Sequence, residues 1–505
     1  MPQFKQSEIT NTYWATNDGF KGGRDPMGIQ NSSIATYGKL LPGLTNLTGH
    51  IRYYSLYCWL LSEYDRLERE NETSLHQYNF IRRAELALAL IMKDQNVGSV
   101  VGALFVSQQR YNLIDDGVYD LKDGGDYESK DKYWTYKSGA FGQYYLGSLI
   151  HYKLVKIVEG RFYLLDKGKE LASAVRKSVS EDARDLYIEC IEDGSLAEME
   201  IEDLLPLALN KIVVGSAEWE SLNNFLTMRD DDGSTLRRET ILLMLKDIEK
   251  GISVDNFVRH RFLNVDDDAG YEASFGWYFY YLCEVLHYSI ESLFCLILNE
   301  IDDLQNPSVN MLLADTREKM LAEIKEDEEY KSLFEWKKNI KGNIAEMYEM
   351  LMEYIDIENY PKAAVLAIKL MLRLQKEYEQ KKEKILDFEN KYKLIIQRGI
   401  LSEGLKFYVV RYLEQPLDKY IEAIITQVMQ EHTIVAIGKM GNSNSDLRKF
   451  IFEDGRVVLV EIRYPNQTNP RIDSLYNFLQ DMSYIDSEGQ LTDIAYNYIE
   501  NYGKE

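Results

Sequence analysis

Apolar residues recur at spacings of three and four over residues 50–70 and again over 77–93, the period of a helix with one buried face. The same period runs through most of residues 181–395, which therefore read as a long helical region. Within it, Phe275 to Glu300 is apolar and aromatic nearly all round, which predicts a helix buried on every side. Met311 to Leu394 is rich in Glu and Lys and coiled-coil-like, a solvated helical surface with breaks near Asn339–Gly342 and at Pro361. Residues 107–133 carry Asp-Gly and Gly-Gly punctuation and read as an acidic loop.

The period changes in two places. Residues 138–152 predict a short helix. Leu154 to Leu165 predicts a two-stranded ribbon turning at Glu159-Gly160, and Asp166 to Lys177 a helix capped by Asp166 and basic at its end. Near the end of the chain, Thr433 to Lys439 and Lys449 to Tyr464 read as strands, the second turning at Asp454-Gly455. After a loop at Pro465–Pro470 come a helix over Arg471–Met482, a small ribbon over Tyr484–Leu491 turning at Glu488-Gly489, and a final helix over Thr492–Tyr502. Helix, ribbon, helix is the layout of a winged-helix module, and the chain holds it twice. The expected fold is mainly α: helical domains with two winged-helix-like (α+β) modules. The expected division is a helical domain over 1–130, a first module over 131–180, a helical middle over 181–395 and an α+β domain over 396–505.

With 505 residues the chain is long enough for several cores. Its 82 acidic and 58 basic residues give a formal charge of −24, so the surface as a whole repels nucleic acid and anionic lipid. A DNA role needs a local basic face. Cys58, Cys190, Cys283 and Cys295 are scattered, form no CxxC pair, and read as reduced core residues. The opening MPQFKQSEIT lacks a signal pattern, and no run of about 18 uninterrupted apolar residues occurs, so a cytoplasmic protein with no membrane partner is expected. A phosphate-binding GxxxxGK[ST], a GxGxxG after a strand, HExxH and GxSxG are all missing, which argues against an ATPase, a dinucleotide enzyme, a zincin and an α/β-hydrolase.

Four groups of residues are candidates for function. The first helix–ribbon–helix offers Gln143, Tyr144, Tyr145, Ser148 and His151 on its helix, and Lys153, Lys156, Arg161, Lys167 and Lys169 around the wing. That is a basic cluster of the kind that meets a DNA groove and backbone. The second copy offers Arg471, Asn477 and Gln480 beside Asp473 and Asp481, a weaker DNA reader. The segment around Pro42-Gly43 mixes Gln30, Asn31 and Asn46 with Arg52 and Tyr53. It could hold a small ligand or partner, or simply pin the N-terminal domain. Third, Asp446 precedes a hairpin closed by Glu461-Ile462-Arg463. This resembles the PD-(D/E)xK nuclease pattern, whose Asp and Glu hold Mg²⁺, except that Arg463 stands where a Lys is expected and cannot share its proton chemistry. Fourth, Glu284, His287 and Glu291 share one helix face at the Glu-x-x-His spacing of di-metal bundles; without a second copy of the motif, a buried, satisfied histidine is the expectation.

The LLPGLTNLT…IRYYSLYCW segment (residues 40–59) and the stretch from Phe141 to Ala174 resemble large uncharacterised bacterial proteins of mobile-element and phage-defence gene clusters. The layout also resembles kleisin-type subunits of SMC complexes, which bridge ATPase heads through terminal modules, although here about a hundred residues precede the first wing. Together these readings lead to an expected non-enzymatic, DNA-associated scaffold or adaptor in a multi-protein bacterial defence complex. Its expected partners are other protein subunits, such as an SMC-like ATPase, and double-stranded DNA, and it needs no cofactor. The alternatives are a Mg²⁺-dependent nuclease using Asp446, Glu461 and Arg463, and a ligand sensor using the N-terminal loop.

Overall fold

The computed structural model describes residues 25–95, 97–108, 113–114, 117–227, 235–267, 270–327, 332–394, 401–440 and 447–502. Helix accounts for 67% and strand for 6%, so the mainly-α reading holds and the sheets are local fittings. By packing, the chain forms two units. One unit comprises the described residues up to Lys39 together with Val258–Pro470; the other comprises Leu40–Phe257 and the described residues from Arg471.

The first unit is built on the helix Glu272–Asp303, whose residues from Ala273 to Leu298 are buried apart from Phe275. It is long and apolar enough to cross a membrane, but its most apolar stretch lies wholly inside the unit. Against it lies the 32-residue helix Tyr360–Lys391. Ala363, Ala364 and Ala367 in that helix are fully buried. Val309–Asp327, Ile344–Asp356 and Leu417–Met440 complete the bundle. The stretch expected to be a solvated coiled-coil surface is thus half core: Leu366, Ile368, Leu370, Met371, Leu372 and Leu374 are all buried, and only the Glu/Lys face meets water. Its breaks fall where expected, at Ile340–Asn343 and with Pro361 in the first turn of a new helix, where the missing N–H costs nothing.

Thr433–Lys439 is a correction. These β-branched residues continue the helix Leu417–Met440 and form no strand. Buried Leu417, Ile421, Ile424, Val428, His432 and Val435 keep the helical period across them, so packing overrides strand propensity. The ribbon that follows is as expected. Phe450–Glu453 pairs with Arg456–Leu459, and Asp454 (φ 48°) and Gly455 (φ 76°) form the turn. Phe450 and Val457 anchor it in the first unit's core.

In the second unit, the helix Arg52–Glu70 packs on Asp166–Ser178, and Gln77–Met92 packs on Glu181–Asp193. A three-stranded antiparallel sheet joins Leu113–Ile114, Val118–Asp120 and Ser195–Ala197. Helical residues 141–151, the ribbon Val155–Val158/Arg161–Leu164 and the helix Asp166–Ser178 reproduce the first helix–ribbon–helix, with Glu159 (φ 52°) and Gly160 (φ 79°) at its tip. Asp166 does not cap that helix. Leu165 holds the cap position, and Asp166 sits in the first turn beside Lys169. The second helix–ribbon–helix lies within the second unit, as the helices Ile472–Asp481 and Asp493–Asn501 on either side of the Tyr484–Leu491 segment. Tyr484–Leu491 pairs only through the single bridge between Ile485 and Leu491.

Candidate functional site

The helix Gln77–Met92 organises the second unit's polar interior. Fully buried Arg82 donates to the carbonyls of Gly125 (2.6 Å), Trp134 (2.9 Å) and Tyr136 (2.6 Å). Arg83 forks onto Asp126 (2.7 Å to each oxygen). Glu85 accepts from Tyr57 Oη (2.6 Å), Tyr133 Oη and the N–H groups of Ala140 (3.0 Å) and Phe141 (2.6 Å). Burial pushes the Glu85 carboxyl up, against the pull of these donors. One helix thus fixes the start of the ribbon module, because a buried carboxylate satisfies the free N–H groups of a helix N-terminus.

The ribbon module divides the predicted DNA contacts. Lys153, Lys156 and Lys167 are exposed, as is Gln143, whose side-chain oxygen accepts from Trp134 Nε1 (2.8 Å). Tyr144 is half-buried against the edge of Trp134. Arg161 departs from expectation: it is paired with Glu68 and Asp65 on the Arg52–Glu70 helix and lies over the rings of Tyr64 and Tyr163. It braces the ribbon and does not face outward. Of the helix residues, Tyr145 and Ser148 are buried and His151 is exposed. Sequence reasoning missed the exposed apolar residues of this module: Ile150 (42% exposed), Ile157 (47%) and Val158 (44%). For Ile157 and Val158 the signal was the apolar pair that follows Lys156 at the ribbon tip, where no core remains to cover it.

The N-terminal loop residues are not one site. Gln30 belongs to the first unit, where its amide donates to Glu291 (3.1 Å); Asn31 donates to the Gly28 carbonyl (3.4 Å). Asn46, Arg52 and Tyr53 belong to the second unit. Asn46 is exposed. Arg52 is buried and forks onto Glu218 (3.1 and 2.9 Å), with a third bond to the Ala208 carbonyl. Tyr53 is buried, stacks on Tyr57, and accepts from the Val101 N–H (2.9 Å). Neither can offer a stacking surface to a base. Arg471 and Asp481 of the expected second reader also serve packing: Arg471 reaches the Leu41 carbonyl (3.4 Å), and Asp481 accepts from His50 and the Ile51 N–H (2.9 Å each).

In the first unit Glu284, His287 and Glu291 are buried together, His287 Nε2 lying 3.1 Å from Glu291 and Nδ1 3.6 Å from Glu284. Neither contact is aligned as a hydrogen bond, so they act as charge pairs. Burial alone would lower the imidazole's pKa, but the two carboxylates outweigh it and raise it well above the ordinary value. The carboxylates are committed further: Glu284 accepts from Thr468 N and Oγ1 (2.6 Å each), and Glu291 from Asn466 N (3.0 Å). The triad therefore straps down the Pro465–Pro470 loop, a role unreadable without the contacts. Among the described residues no group of three or more His, Cys, Asp and Glu could hold a metal ion.

Of the nuclease residues, Asp446 lies outside the described residues. Glu461 is 62% exposed and paired with Lys449, which holds its carboxyl below the usual range. Arg463 is half-buried, and its Nε finds no partner. No family model, no curated protein and no solved structure matches the chain.

Proposed function

We propose that this chain is a non-enzymatic scaffold or adaptor whose first ribbon module is a winged-helix-like element that docks another protein subunit. One observation carries the reading: Ile150, Ile157 and Val158 are apolar yet exposed on this module, Val158 on the ribbon face that also carries Lys156 and Ile157 on the opposite face. A second supports it. The strand Val155–Val158 pairs with Arg161–Leu164, and among the described residues no strand pairs with its other edge, where a partner strand could add.

DNA contact is the second reading, favoured by exposed Lys153, Lys156, Lys167 and Lys169. Against it stand exposed Glu159, Asp166 and Glu170 on the same module and the commitment of Arg161 to Glu68. Isoleucine and valine add nothing toward phosphate. Mobility-shift titrations with a labelled duplex at low and physiological salt separate the two. The docking reading expects no shift at micromolar protein and physiological salt. A salt-steep shift abolished by Lys153→Glu/Lys156→Glu/Lys167→Glu would give the module to DNA instead. Cutting of the duplex in Mg²⁺, lost in Glu461→Ala, would restore the nuclease reading.

A further inference from the structure

The second unit contains an open groove of about 490 Å³, within the size range of ligand sites, that none of the candidate residues line. The helices Ala217–Thr227, Thr235–Glu249 and Asp493–Asn501 contribute to it, and its working residues are Trp219, Asn223, Arg238, Asn497, Tyr498 and Asn501. In a chain of net charge −24, no acidic side chain among the described residues lines this groove, and Arg238 is the one charged residue among those that do.

The aromatic residues are held by internal bonds. Trp219 Nε1 donates to the Met482 carbonyl (3.0 Å), Tyr484 Oη to Asn223 Oδ1 (2.7 Å), and Tyr498 Oη to the Arg238 carbonyl (3.2 Å). The walls are therefore preorganised, and their ring hydroxyls are occupied. The amides are differently placed. With its oxygen taken by Tyr484, Asn223 keeps Nδ2 as a donor, while Asn501, whose Nδ2 donates to the Asn497 carbonyl (2.9 Å), keeps Oδ1 as an acceptor. Asn497 and Asn501 are exposed, one helical turn apart. Donor and acceptor amides along an aromatic floor match the alternating N–H and C=O of an extended peptide. A single guanidinium matches one carboxylate, whereas a nucleotide's phosphates would call for more cations or a cluster of free N–H groups.

We infer that this groove binds an extended peptide segment of a partner, with one carboxylate seated on Arg238. The carboxylate could be a C-terminus or an Asp or Glu side chain. This inference does not depend on the ribbon. The test is fluorescence polarisation of the full chain with three fluorescein-labelled, sequence-randomised hexapeptide pools: free C-terminus without Asp or Glu; amidated with one central Glu; and amidated without acid. One of the two acidic pools should bind at least tenfold tighter than the neutral pool, and which one identifies the carboxylate. Arg238→Ala should remove that preference, Arg238→Lys should keep part of it, and Asn497→Ala should weaken the preferred pool. Lys156→Glu should leave binding unchanged, which separates this groove from the ribbon. Unchanged thermal midpoints would show that the variants remain folded. Equal binding of the three pools, binding by none, or a preference that survives Arg238→Ala would overturn the inference.

Discussion

Arg52 and Glu218 illustrate what the buried charges in this chain do. Each side chain is only 1% exposed, and Ser55 gives Glu218 a further hydrogen bond (2.7 Å). Arg52→Met would strand the Glu218 carboxylate in the core, which costs about 3–5 kcal/mol for a buried pair broken on one side. At roughly 2–4 °C per kcal/mol for a unit of this size, calorimetry should show the second unit's transition falling by about 10 °C. The double change Arg52→Met/Glu218→Leu should recover much of that loss, because no unpaired charge remains. A double variant no better than the single one would contradict this account. Three buried histidines contribute to the pH response. Burial lowers the pKa of His50 and His287, but Asp481 in one case and Glu291 with Glu284 in the other more than reverse it. Both titrate higher when folded, so their stabilisation is complete below the unfolded value near 6.5 and fades as pH rises through the folded values. His432 has the opposite sign. Burial drives it down to about 4, so its contribution is present above 6.5 and fades as pH falls toward 4. Thermal midpoints of the wild type should fall between pH 6.5 and 9, and His287→Gln should flatten the part of that fall belonging to the first unit.

At the scale of elements, two glycines separate strain from crowding. Gly139 has φ +65°, and an added Cβ would lie 2.3 Å from Glu85 Oε2; Gly160, at the ribbon tip, has φ +79° with nothing within 4 Å. Gly160→Ala should cost only the left-handed penalty of about 1–2 kcal/mol. Gly139→Ala adds displacement of the carboxylate that pins the start of the module, and urea melts should show the larger loss. Equal losses would mean that Glu85 yields freely. The elements readable in the sequence were those with local causes. Glu159-Gly160 and Asp454-Gly455 supply the positive φ angles that two-residue ribbon turns require, and the all-round apolar run around Phe279 and Leu293 can only be a core helix. What was unreadable depended on distant partners. Thr433–Lys439 looked like a strand until the helical period of the residues before it decided otherwise. Arg52 and Arg161 looked available because nothing local reveals Glu218, 166 residues on, or Glu68, 93 residues back. The candidate site was legible in its lysines but not in its exposed isoleucines, since sequence alone does not show where a core ends.

For the whole molecule, the net charge of −24 makes copies of the chain repel one another in solution. Each unit is drawn from separated parts of the chain, so neither corresponds to a simple truncation. Removing residues 471–505 should therefore destabilise the second unit although they lie at the far end of the sequence, because Asp481 accepts from His50 and from the Ile51 N–H just before the Arg52–Glu70 helix, and Trp219 bonds to Met482. Loss of the second unit's calorimetric transition in that truncation is the expected result. The central claim, that the first ribbon docks a protein, is tested most directly by site-specific photo-crosslinking in cells carrying the native gene. A photoreactive residue at Ile157 (47% exposed) should trap one discrete protein, and Val158→Asp should abolish that adduct. The same residue at Met199, which is 85% exposed but outside the ribbon, should not trap it. Identical patterns from positions 157 and 199, or an adduct to DNA alone, would contradict the account.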